Sequence, residues 1–170
     1  MMRRMAGLLL LISGVSMAAT PEALYAQRDA ATGDACVPMA QLADSGTVVH
    51  PLEDGTALHV VPCRATFADV ISVVILERDG GLQTLHFPEP GMRIGSRWQD
   101  ARMDRIGVTT QLSSPTMHDD GSLVSRQRIA PGMGDGDIVQ CYRIEDGAPV
   151  LSHFTIERVG EPAIILWPLP

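Results

Sequence analysis

The chain predicts an all-β domain: an antiparallel sandwich or partly open barrel of about eight strands, with minor helix. Three observations carry this. Val70-Ile-Ser-Val-Val-Ile-Leu76 is a β-branched run that ends before the turn residues Asp79-Gly80-Gly81, which is how a strand covered on both faces reads. Ile106, Val108, Thr110 and Leu112 alternate with Gly107, Thr109 and Gln111, the period of a half-buried strand. Asp-Gly recurs at 54–55, 79–80, 120–121 and 146–147, and hairpins closed that way build antiparallel meanders, not βαβ units.

In chain order, residues 1–18 carry the layout of a secretory signal peptide: basic Met1–Arg4, apolar Ala6–Val15, then small Ser16 and Ala18 before a cleavage point. A cut after Ala26 is the alternative. The apolar run is shorter than the roughly 20 residues a bilayer span needs, so no membrane span is expected after cleavage. Residues 19–35 read as a flexible leader, because Thr20–Asp34 is rich in alanine and polar residues and has no period-2 pattern.

A single β domain is expected over 36–170. Pro38–Ala43 suits one or two helical turns, with Pro at the start. Val48–Leu52 is a short edge strand, and Thr56–Cys63 a strand ahead of the Val70 run. Leu82–Phe87 follows, and Pro88-Glu-Pro-Gly91 breaks the chain. Met92–Arg105 has no clear period and reads as a long loop with one helical turn. Leu123–Ile129, Ile138–Ile144, Val150–Val159 and Ala163–Trp167 supply the later strands. Pro131–Asp137 is a glycine-rich loop between two of them.

Aromatic residues make up 4% of the chain, so aliphatic side chains must carry the core. The formal charge is −7, and loss of Arg3 and Arg4 with the signal brings it to −9. A chain this acidic, with no basic patch, is repelled by nucleic acid and by anionic lipid. The 13 cationic residues are all arginine, a mark of coding bias rather than function. Cys36, Cys63 and Cys141 are an odd set in a chain headed for an oxidising compartment, so one is left over. Their spacing suits no zinc site.

In order, Cys36, Leu52-Glu-Asp-Gly-Thr-Ala-Leu58, Val61-Pro-Cys63, Asp119-Asp-Gly-Ser-Leu-Val-Ser125, Gly132-Met-Gly-Asp135 with Cys141 after it, and Trp167-Pro168 resemble a known family. It is the bacterial exported family catalogued as domain of unknown function 1176, in its C-terminal half. The resemblance covers Cys36 to Pro168 and implies export and a β fold. It transfers no chemistry, because the family's role is unestablished. Arg64-Ala-Thr-Phe67 departs from the family's pattern after the central cysteine, and a cysteine expected near Arg158–Glu161 is missing. The missing residue would have bridged to Cys141 across the Asp146-Gly147 hairpin. The resemblance therefore implies Cys36–Cys63 as the intact disulfide and Cys141 as a free thiol, with Cys63–Cys141 the alternative.

The residues form no catalytic set, no cofactor motif and no complete metal-ligand set. Asp135-Gly-Asp137 resembles half a calcium loop but lacks the ligands over twelve positions that such a loop needs; a solvated turn is the simpler reading. Gly132–Gly136 lacks the lysine and helix of a phosphate loop. His118-Asp119-Asp120 sets an imidazole beside carboxylates, but neighbours on a turn rarely orient one another for general-base work. Cys141 would need a depressed pKa to act as a nucleophile. Arg93, Arg97 and Arg102 lie in the one long loop, where binding residues gather. Two functions follow: a non-enzymatic module binding an envelope protein or glycan through these arginines, and a small hydrolase-like enzyme using His118 or Cys141.

Overall fold

Strand β3 (Val70–Arg78) is the middle of the structure, a computed structural model that describes residues 19–42, 46–52, 55–95, 97–129 and 135–168. The expected signal peptide (1–18), Asp54 of the first Asp-Gly turn and residues 131–134 of the glycine-rich loop lie outside the described residues. Among the described residues, twelve strands form three antiparallel sheets. The first sheet runs β1 (Val48–Pro51), β2 (Ala57–Ala65), β3, β4 (Gly81–Thr84), with β7 (Gln111–Ser113) also paired to β3. The second runs β12 (Ile164–Trp167), β11 (Ala148–Arg158), β10 (Gly136–Glu145), β9 (Leu123–Arg128), β8 (Thr116–Met117). The third is a two-stranded ribbon, β5 (Phe87–Arg93) with β6 (Arg102–Thr109). Among the described residues the sheets form no closed barrel.

The all-β class holds, with twelve strands where about eight were expected. Two of the extra ones come from breaks, and β8 has no counterpart in the expected set. Leu82–Phe87 divides at Leu85-His86 into β4 and the start of β5, and Ile106–Leu112 divides at Thr110 into β6 and β7. Two Asp-Gly turns behave as their residues dictate: φ is positive at both members of Asp79-Gly80 and of Asp146-Gly147. That is the geometry of a two-residue hairpin whose twist matches its strands.

The doubly covered reading of Val70–Leu76 also holds, and the register explains it. Leu58 pairs Leu76 and Val60 pairs Val74, while Val61 pairs Val73 and His59 pairs Ile75. The even residues enter the main core between the sheets, with Leu112, Phe87, Tyr142, Phe154, Ile156 and Leu166. The odd residues Val61, Cys63, Val73 and Ile75 form a second core on the opposite face. Period-2 geometry sends neighbours to opposite faces, so a strand apolar at both parities needs two covers.

The second cover is a helix, α1 (Pro21–Thr32), in the stretch expected to be a flexible leader. That expectation is corrected here. Thr20 caps the helix by accepting from Ala23 N (3.3 Å), Pro21 opens it, and Gly33 ends it at φ 58°. Leu24 and Arg28, one turn apart on one face, are buried against the sheet at 3% and 1% exposure. The helix was hidden because half its buried stripe is an arginine. Arg28 Nη1 donates to Pro62 O (2.9 Å), its guanidinium lies 4.6 Å from the Tyr25 ring centre, and Asp29 pairs with it at 2.6 Å. Pro62 sits at the β2 bulge, where the ladder to β3 skips Cys63, so the arginine takes up a carbonyl beside a broken register.

The chain leaves α1 through a 3-10 turn (Gly33–Ala35) and is fixed to the same bulge twice. Cys36 is disulfide-bonded to Cys63, and Val37 N donates to Cys63 O (2.9 Å). The helical turn expected in Pro38–Ala43 is a 3-10 turn, Met39–Gln41.

Candidate functional site

The Met92–Arg105 stretch, expected to be a loop, is largely ribbon. Pro88 and Pro90 suggested a break, but a strand paired on one side only tolerates proline, and β5 pairs β6 from Phe87↔Thr109 to Arg93↔Arg102. The ribbon is rooted in the main core. Phe87 meets Tyr142 edge-on at 5.0 Å, and Met92 and Met103 pack on the same cluster. The Tyr142 hydroxyl lies 2.9 Å from Pro88 O and 3.0 Å from Gln140 Oε1, one proton serving both. Burial pushes its phenol well above the ordinary value, with the nearby Glu89 adding to it.

The far end of the ribbon faces solvent. Arg93 and Arg102 stand opposite each other, and Arg97 lies in the connection, exposed like them. Arg93 has a side chain 80% exposed and, among the described residues, a long pairing to Asp104, 3.8 Å. Arg102 is different: its Nη1 donates to Ala101 O (2.8 Å) and Gln99 O (3.4 Å), bracing the 3-10 turn Trp98–Asp100. Ile106 and Val108 on the same ribbon are 55% and 69% exposed. Between Gly91 and Arg105 four arginines stand against two aspartates, in a chain of net charge −7.

Asp135 and Asp137 lie elsewhere, lining a cleft of about 400 Å³ with Phe67, Arg128, Ile129, Gly136 and Val159. Asp137 is already matched by Arg126 (3.8 Å) and Arg128 (4.0 Å), and Arg126 also pairs Glu157 at 2.8 Å. Two guanidiniums beside one carboxylate oppose a divalent cation. Among the described residues no three His, Cys, Asp or Glu side chains converge as a metal site.

His118 is exposed on the β8–β9 turn. Asp120 Oδ1 accepts from Ser122 Oγ (2.6 Å) and Ser122 N (3.0 Å), which holds its pKa below the usual carboxylate value. Cys141 is free and half-buried, and burial pushes its thiol pKa up, the reverse of an activated nucleophile. No hydrogen bond joins it to His118.

One constellation escaped the sequence reading. His59 Nε2 lies 2.7 Å from Glu77 Oε2, with 4% and 12% of the two side chains exposed, and Glu77 Oε1 accepts from Ala19 N at 3.1 Å. Among the described residues His59 Nδ1, also buried, has no hydrogen-bond partner. The residues are 18 apart in sequence and meet only through the β2–β3 register. Both occupy the odd, helix-covered face, which is the one signal available beforehand.

No protein-family model, no curated protein and no solved structure matches the chain.

Proposed function

We propose that this protein is an exported, periplasmic or secreted, non-enzymatic β module that binds an envelope protein or glycan through the tip of its β5–β6 ribbon. The observation that carries the reading is the ribbon itself. It is anchored at its root by Tyr142 and Phe87, presents the exposed guanidiniums of Arg93 and Arg97 at its tip, and carries exposed Val108 and Ile106 nearer the root, opposite Pro88 and Pro90. Rigid roots with exposed arginine and apolar side chains suit capture of an acidic or carbohydrate surface. Export is supported by the signal-like start and by the Cys36–Cys63 disulfide, which persists in oxidising compartments. Among the described residues no helix is long and apolar enough to cross a membrane. Kinship with the exported family named above remains part of the proposal, on its ordered motifs alone.

The test compares wild type with an Arg93→Ala/Arg97→Ala variant, by in-cell photo-crosslinking from the ribbon and by retention on purified cell-wall sacculi. Arg102 is left intact because it braces its own turn. Capture should fall at least tenfold, while the thermal midpoint moves by less than about 2 °C, as for exposed substitutions. Equal capture by both proteins rules out the ribbon.

A further inference from the structure

The Ala19 contact gains meaning from the bond that precedes it. The expected signal peptide ends at Ala18, so cleavage there makes the nitrogen of Ala19 an α-amino group. That nitrogen is the one lying 3.1 Å from Glu77 Oε1, in a partly buried site. We propose that cleavage after Ala18 creates an α-ammonium at Ala19 that completes a buried ion cluster with Glu77 and His59, and so locks α1 onto the outer face of the first sheet.

The argument is one of charge. Glu77 is a carboxylate with 12% of its side chain exposed, and among the described residues the basic side chain paired with it is His59. A buried charge needs a partner of opposite sign. In the uncut chain Ala19 offers a peptide N–H, a neutral donor. In the cut chain it offers a full positive charge and three donors, so carboxylate and ammonium neutralise each other. The hydrolysis itself is ordinary: water adds across the Ala18–Ala19 bond, leaving a carboxylate on the leader and the amine on the mature chain.

Position does the rest. Thr20, the N-cap of α1, is the next residue, and Leu24 N donates to Thr20 O (3.1 Å). Fixing Ala19 therefore fixes the first turn of the helix that buries Val61, Val73 and Ile75. A cut after Ala26 removes this cluster and Leu24 with it.

The inference rests on the export reading, and the experiment separates the two. Protein recovered from the envelope fraction is weighed intact: a chain beginning at Ala19 is expected, and an uncut chain or one beginning at Gln27 overturns the inference. Absence of the chain from the envelope fraction, with all of it in the cytoplasmic fraction, overturns export as well. In vitro, a chain released with Ala19 at its start is compared with one keeping two extra residues, Gly-Ser, before Ala19. The Ala19 chain should melt about 3–12 °C higher, the range for a charge-assisted hydrogen bond in a domain of this size. Its α1 amides should exchange at least tenfold more slowly. Glu77→Gln should erase the melting difference; if that variant does not fold, the exchange comparison uses unsubstituted chains and stands alone. Equal melting and exchange in the two chains, or a difference that survives Glu77→Gln, overturns the inference and leaves export standing.

Discussion

Opening the Cys36–Cys63 bond should cost this protein about 3.5 kcal/mol. The bond closes a loop of 27 residues, and the chain-entropy relation gives that figure for such a loop at 25 °C. The loop contains β1 and most of β2, so the unfolded chain gains real freedom when it opens. In a domain near 150 residues this lowers the melting midpoint by roughly 7–14 °C. Local contacts argue that native structure survives at room temperature. Val37 N still donates to Cys63 O, and Arg28 still holds Pro62 O.

The cleanest assay is urea titration of the wild type with and without reductant, since composition is then unchanged. The Cys36→Ala/Cys63→Ala variant is the check; serine is avoided because Cys63 is fully buried and a hydroxyl there would be taken out of water. The slope against urea should rise slightly in the reduced protein, as an unlinked chain exposes more surface. A loss below about 1 kcal/mol would refute the entropy argument, because the loop would then already be closed in the unfolded chain. A non-reduced peptide joining Cys141 to either partner would refute the pairing itself.

Leu24→Ala should destabilise by about 2–4 kcal/mol, and hydrogen exchange should localise the loss to α1 and the outer face of β3. Unchanged protection there would mean the helix cover is dispensable. Tyr142→Phe leaves Pro88 O and Gln140 Oε1 without their donor and should cost about 1–2 kcal/mol in urea. Alkaline titration tests the raised pKa values of Cys141 and Tyr142. The folded chain keeps protons that the unfolded chain releases, so stability holds below the ordinary values, about 8.5 and about 10, and falls as pH climbs past them. Ultraviolet difference spectra should show the Tyr142 phenol ionising only with unfolding; ionisation in the folded protein near pH 10 would contradict its burial.

What the sequence made legible was local. Asp79-Gly80 and Asp146-Gly147 carry their turn geometry in two residues, so their hairpins follow without tertiary context. Val70–Leu76 is apolar at both parities, so its place in the middle follows from composition alone. What stayed hidden depended on partners. Pro88 and Pro90 break a central strand but not a ribbon, and nothing in their neighbours says that β5 pairs on one side only. Arg28 counts as polar in any periodicity, yet it is 1% exposed because a bulge carbonyl and an aromatic face await it. The arginines of the candidate site were visible as residues, while the ribbon that presents Arg93 and Arg97, and the turn that occupies Arg102, were not.

The two readings that conflicted could have corrected each other. A strand covered on both faces and a leader outside the fold cannot coexist in this chain unless something else covers the odd face. Val61, Val73 and Ile75 are all 0% exposed. At about 25 cal/mol for each Å² of apolar surface, three such side chains left in water would forfeit several kcal/mol, a large part of any domain's net stability. Of the segments ahead of the first strand, 19–35 was long enough to supply a lid of three helical turns, and it begins with Thr20-Pro21-Glu22, a helix-start signature. The same demand for a lid explains why so many fixings converge there: the bulge at Cys63, the disulfide, the buried guanidinium and the contact from Ala19 to Glu77 all hold one helix against one face. The apolar residues of β2 and β3 set the requirement, and the polar residues of α1 and its flanks meet it.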